Sequence, residues 1–174
     1  MNKGSITLWG FVGTIVLTSV LAGSQALGLT RMNLPFMLGT MVTADRDRAK
    51  VVGFGMHLIN GWLFATVYAA AFRSWRRANW LLGALIGLVH ALFVLTVAMS
   101  MLPGLHPRMA SERQGPTPTR QLEPPGFLAL NYGKRTPISV VVAHLLYGSL
   151  LGAFYRPRQG RELPRPETTI EQPT

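Results

Sequence analysis

Residues 51 to 72 read VVGFGMHLINGWLFATVYAAAF, twenty-two residues with no Asp, Glu, Lys or Arg, set between the charged Arg46-Asp-Arg-Ala-Lys50 and the basic Arg73-Ser-Trp-Arg-Arg77. A helix rises 1.5 Å per residue, so about 20 such residues cross a hydrocarbon core of about 30 Å. Three further charge-free runs match it: Ile6 to Leu29, Trp80 to Leu102 and Pro137 to Tyr155. Charges and most prolines are confined to the segments between them. The pattern predicts an all-α, integral membrane four-helix bundle over residues 1–156, with spans at 6–29, 51–72, 80–102 and 137–155. The Pro-rich, polar segment 157–174 is expected to be a disordered cytoplasmic tail.

The first run has an alternative reading as a secretory signal, because Lys3 precedes it and Ala22, Gly23, Ser24 and Ala26 are small. Signal cores are typically about 7 to 15 apolar residues, and this run is longer. It is therefore read as a permanent span.

The formal net charge of +10 does not point to nucleic acid, since the 17 basic residues lie beside the ends of the runs and form no stripe on a soluble face. Anionic lipid headgroups are the expected partner. With no cysteine, disulfides, thiolate ligands and cysteine nucleophiles are excluded.

Basic residues collect in short cytoplasmic loops. The link Arg73 to Asn79 carries three arginines and no acid, and Lys3, Arg156 and Arg158 fall on its side. Totals on the two sides are nearly equal, eight against nine, but the opposite loops are long and carry Asp45, Asp47, Glu112 and Glu123. Both termini are expected in the cytoplasm. Trp9, Tyr68, Trp75, Trp80 and Tyr155 are expected to form an aromatic belt at that boundary. The segment Leu102 to Pro125, rich in proline, is expected to be a loop.

Two stretches echo one another. His57-Leu-Ile-Asn-Gly61 leads to Tyr68, and His144-Leu-Leu-Tyr-Gly148 leads to Tyr155, with offsets of four and eleven residues that fall on one helix face. The preceding loops carry similar elements, Pro35-Phe36-Met-Leu38-Gly39 and Pro125-Gly-Phe127 to Gly133. The echo suggests two parallel two-helix repeats related about the membrane normal. Small-residue seams at Gly83/Gly87, Gly148/Gly152, Gly61/Ala65 and Ser19/Gly23 provide close helix approach.

HLINGWLFATVY, GLVHAL, LHPRM, PGFLALNYG and HLLYGSLLGAFY together resemble a family of small bacterial multispan membrane proteins of unknown function, over roughly Asn33 to Tyr155. The resemblance implies a bacterial inner-membrane protein, and it implies no activity.

Ionisable residues inside a bilayer are functional candidates by default. His57 and His144 enter from the same side at similar depth. In one reading they are axial ligands of a b-type haem, with Gly61 and Gly148 leaving room for the macrocycle. In the other they hydrogen-bond neighbouring helices and fix packing. His90 enters from the opposite side, about 9 Å deeper than His57 at 1.5 Å per residue, and is expected in a close helix contact; no tight three-histidine metal site is expected. His106 is read as a solvated loop histidine. No carboxylate lies in any run, which disfavours a proton-coupled pump, and no catalytic constellation or phosphate loop is present. Asp45 and Asp47 are read as a solvated interfacial cluster. Met32 to Val42 is too short to span and should lie at the outer interface; with Phe127 to Tyr132 it is expected to cap a pocket above His57 and His144.

Three functions follow in order. The leading one is a non-catalytic component, either an accessory subunit of a membrane complex or a small homo-oligomer joined through the glycine seams. The others are a haem-binding electron-transfer protein, and a small-molecule channel or carrier with a histidine-lined pocket.

Overall fold

A computed structural model describes residues 2–111, 116–120 and 122–156. Five helices account for most of them: α1 (Lys3–Ala26), α2 (Leu34–Val42), α3 (Arg46–Ser74), α4 (Trp80–Leu105) and α5 (Thr136–Phe154). A 3₁₀ turn, Phe127–Tyr132, precedes α5. Among the described residues there are no strands, only isolated bridges at Met109–Leu122 and Thr117–Arg120. The helices α1, α3, α4 and α5 are each long and apolar enough to cross a membrane. The expected tail, 157–174, lies outside the described residues.

Asn and Asp side chains fix most helix starts, by accepting a backbone N–H that has no partner within the helix. Asn2 caps α1, Asn33 caps α2 and Asn79 caps α4. Asp45 accepts from the N–H groups of Asp47 and Arg48. That cap starts α3 five residues ahead of the charge-free run and makes it 29 residues long. So Asp45 is a structural cap, whereas Asp47 is an exposed partner of Lys50 at 2.9 Å, a pair that holds its carboxyl below the usual range.

At its far end α4 continues through Pro103 to Leu105, past the expected stop at Leu102. Proline there lacks the N–H that would bond the Met99 carbonyl, and the helix ends two residues later. A π turn, Val94–Ala98, interrupts α4 near its middle. π turns inside α-helices often accompany functional sites.

Two helix pairs share a packing device. In α4 and α5 a Cβ on Gly83 would overlap the Gly148 carbonyl, and one on Gly148 would overlap the Gly83 carbonyl. Gly87 lies against the His144 carbonyl and Gly152 against the Asn79 carbonyl. In α1 and α3, Gly61 receives the Thr14 side chain, and Gly10 meets Ala65 and Trp62. The short α2 lies on the start of α3, with Gly39 on the Ala49 backbone and Gly53 on the Pro35 carbonyl. Helix α5 also packs along α1. The expected seams are therefore used within the chain, apart from Ser19/Gly23, where Gly23 has nothing before it.

Helices α3 and α4 behave differently. Joined by only five residues, they make no extended packed face. Phe64 and Tyr68 of α3 reach across to His90 of α4.

At one end of the helices Trp9 stacks on Phe154 (4.5 Å), and the Arg156 N–H donates to Ser5 Oγ (3.1 Å), so both ends of the described chain lie there. The expected aromatic belt is only partly present at that end. Trp75 and Trp80 are exposed, but Tyr68 (1% exposed) and Tyr155 (5%) are core residues. Their hydroxyl-bearing rings fill the interior because the face shared with His57 and His144 points inward. At the opposite end the Thr30 and Thr136 hydroxyls meet at 2.7 Å, and the Arg31 N–H donates to the Tyr132 carbonyl. There the 3₁₀ turn takes left-handed backbone at Leu128 (φ 51°) and Ala129 (φ 58°). Such angles are costly for residues with a Cβ and persist only where packing fixes them; Ala129 is fully buried.

Candidate functional site: a histidine-lined cavity between the helices

The three interior histidines line one cavity of about 170 Å³. Leu34 and Leu38 of α2 close its outer end together with Met99 and Leu102 of α4. No side chain of Phe127–Tyr132 reaches it: Phe127 is 70% exposed and the turn packs on α4 and α5. The cap is thus made by α2 and the last turn of the apolar run of α4, with Phe127 turned outward.

The ring that meets His144 is His90, edge to face at 4.6 Å. Their common level follows from the helix bounds. His90 lies ten residues after Trp80, and His144 lies ten residues before Phe154, so each is about 15 Å from the same end of the bundle. His90 also stacks on Phe64 (3.8 Å), and its Nδ1 lies 3.4 Å from the Tyr68 hydroxyl.

Thr14, Tyr147, His90 and His144 on the cavity wall each have one polar atom engaged. His144 Nδ1 lies 2.8 Å from the Val140 carbonyl, which can only accept; Nδ1 therefore carries the proton and Nε2 keeps its lone pair. Tyr147 donates to the Gly61 carbonyl (2.6 Å), and Thr14 donates to the Gly10 carbonyl (2.7 Å). His57 stands apart. Only 7% exposed, it has both ring nitrogens buried without a hydrogen-bond partner. An imidazole offers one donor and one acceptor when neutral, and leaving a buried polar group unsatisfied costs about 1–3 kcal/mol.

This geometry does not fit a haem between His57 and His144. At about 170 Å³ the cavity is close to the ~150 Å³ that holds a single benzene ring, too small for a macrocycle of four rings. Gly61 is filled by Thr14, Gly148 by the backbone of Gly83, and the face of His144 is met by His90. Nor do three ligating side chains converge on one point among the described residues.

His106 corrects its sequence reading. It is 3% exposed, its Nε2 donates to the Met37 carbonyl (2.9 Å), and its Nδ1 accepts from the Arg108 N–H (3.1 Å). Arg108 Nη1 donates to the Thr40 carbonyl (2.6 Å) near the C-terminal end of α2, where the helix dipole favours a cation. Burial holds the His106 imidazole below its usual range, opposed by the Met37 carbonyl, which favours the charged form. Leu105-His-Pro-Arg-Met109 is thus a clamp on α2, the element that caps the cavity. The sequence carried the residues but not the burial, because the α2 carbonyls they bind are about 70 positions away. Nearby, burial and the Glu123 carboxylate push the Tyr132 phenol up to about 12.

No protein-family model, no curated protein and no solved structure matches this chain.

Proposed function

We propose that this protein is a multi-pass integral membrane protein that binds a small molecule in the cavity between its four spanning helices. The carrying observation is His57, an imidazole with both nitrogens buried and unpartnered at the wall of a mostly apolar cavity that it shares with His90 and His144. A ligand group hydrogen-bonded to it would compensate the desolvation of these two nitrogens. Of the three functions that the sequence suggests, the histidine-lined pocket is the one this residue favours, and the role is binding or carriage without catalysis.

The membrane reading is supported by four long apolar helices whose outward faces carry large exposed side chains such as Ile59, Leu63, Leu85 and Val89. A bacterial plasma membrane with both termini in the cytoplasm suits the acid-free arginines of the link Arg73 to Asn79. Two parallel repeats are supported by the corresponding positions of Gly61 and Gly148, each set against the span before it in the chain, the first on a side chain and the second on backbone.

Mass spectrometry of protein purified from its own membrane in mild detergent tests the binding reading. A small molecule should accompany the wild type and be absent from His57→Leu; its equal presence in both, or absence from both, overturns it. A second reading, attachment of a partner subunit or another copy, rests on the exposed Ser19/Gly23 seam. A cysteine at Gly23 cross-linking in native membranes to another chain would support it.

A further inference from the structure

The cavity does not end at the histidines. Two residues that line it, Asn60 of α3 and Phe93 of α4, are exposed, so it reaches the outer surface of the bundle between these helices. This is the pair without an extended packed face, and beneath the opening its closure consists of Phe64 stacked on His90. Asn60 is the fifteenth of 29 residues in α3, and Phe93 is the fourteenth of 26 in α4. Both are at mid-helix, so in a membrane the opening faces acyl chains at mid-depth, far from water.

Cavity size bears on the occupant. An engineered apolar cavity of about 150 Å³ binds benzene, and this one holds about 170 Å³. That is room for one six-membered ring. Its wall is apolar apart from a few convergent groups, and among them His57 lacks a partner. A net charge is disfavoured, since no Lys, Arg, Asp or Glu lines the cavity to compensate one. The π turn of α4 supplies Val94 and Ala98 to the same wall, where the wider helical turn sets the α4 side of the opening.

Resting on the binding reading above, we infer that the ligand is an uncharged membrane lipid with a single-ring head bearing a hydroxyl or carbonyl, of the phenol or quinone class. The ring sits in the cavity with its oxygen at His57, and its hydrocarbon tail leaves between Asn60 and Phe93 into the bilayer. The same opening is the entry route.

The test uses the full chain in lipid nanodiscs with three probes: phenol, 4-nonylphenol carrying a diazirine on its alkyl chain, and nonylbenzene. Nonylphenol should bind at least tenfold more tightly than nonylbenzene, and His57→Leu should remove that difference. Irradiation should place the label near Asn60 and Phe93. As a check on folding, the circular dichroism of the variant should match the wild type. Equal affinity of nonylphenol and nonylbenzene overturns the inference, and so does a label confined to Leu34 and Leu38 at the outer end. Binding of free phenol without the nonyl compound also overturns the lipid and its route, while leaving a small-molecule site in place. If none of the three binds, the inference falls, and the co-purification experiment above then decides separately whether any ligand is bound.

Discussion

The seam between α4 and α5 and the gap between α3 and α4 share one helix yet are built on opposite principles. Along the seam, glycines on both helices let backbone meet backbone, leaving no space for a side chain between Gly83 and Gly148. Lipid tails are as apolar as the helices, so such close approach, rather than hydrophobic burial, drives helices together in a membrane. Across the gap, the aromatic side chains Phe64 and Tyr68 reach His90, and a cavity remains beside them. One side of α4 is rigid contact, and the other is held only by rings that have rotamers. A bundle that closed both sides equally would have no room inside.

The comparison breaks most severely at the seam. Gly83→Leu should destabilise the protein by about 3 kcal/mol or more, the upper part of the overpacking range, because the Gly148 carbonyl cannot yield without separating two helices. Thermal unfolding in detergent reads this as loss of most of the folded population. The opposite sign is expected at the cavity. His57→Leu removes two unpartnered buried nitrogens and should raise the stability of the ligand-free protein by about 1–3 kcal/mol, seen as a higher midpoint in denaturant. Lower stability in that variant would mean that His57 has a partner, and the orphaned-imidazole argument would fail. Tyr147→Phe, which deletes the bond to the Gly61 carbonyl between α5 and α3, should cost about 1 kcal/mol.

A smaller effect sharpens the comparison from outside the helices. His106 is held neutral in the folded protein, below its ordinary value of 6.5. Proton uptake therefore favours the unclamped state as pH falls below about 6.5, and the stabilisation is fully present above it. A proton on Nδ1 would also oppose the Arg108 N–H that now donates to it. Amide exchange in α2, corrected for intrinsic rates, should quicken between pH 6.5 and 5, whereas exchange in the α4–α5 seam should not. Gly55→Ala should meet no clash, since nothing lies before Gly55, and should raise stability by no more than the helix-propensity difference of about 1 kcal/mol. That value calibrates the result at Gly83.

Some of the site was legible in the sequence and some was misread for identifiable reasons. His57, His90 and His144 stand out because a histidine in a charge-free run has no water to satisfy it. Their grouping was harder to read. Measuring depth from the outer ends paired His57 with His144, whereas measuring from the inner ends brings His90 level with His144, and sequence does not say which end sets the register. Tyr68 and Tyr155 read as interfacial because tyrosine favours membrane boundaries; their burial depends on which face of α3 and α5 turns inward. His106 looked solvated because its loop is polar.

Sequence alone determined the four long apolar helices, since about twenty charge-free residues set length and hydrophobicity locally; the caps at Asn2, Asp45 and Asn79 that start three of them emerged only in the structure. Sequence also supplied the glycines, without deciding which helix each would meet. Tertiary structure decided that Gly61 takes Thr14 and Gly83 takes Gly148, that α3 and α4 stand apart, and that α2 with His106 and Arg108 closes the outer end. Those outcomes depend on helix rotation and pairing, which follow from the fit of whole surfaces. The unpartnered His57 is the clearest case: its identity is local, and its lack of a partner belongs to every helix around it.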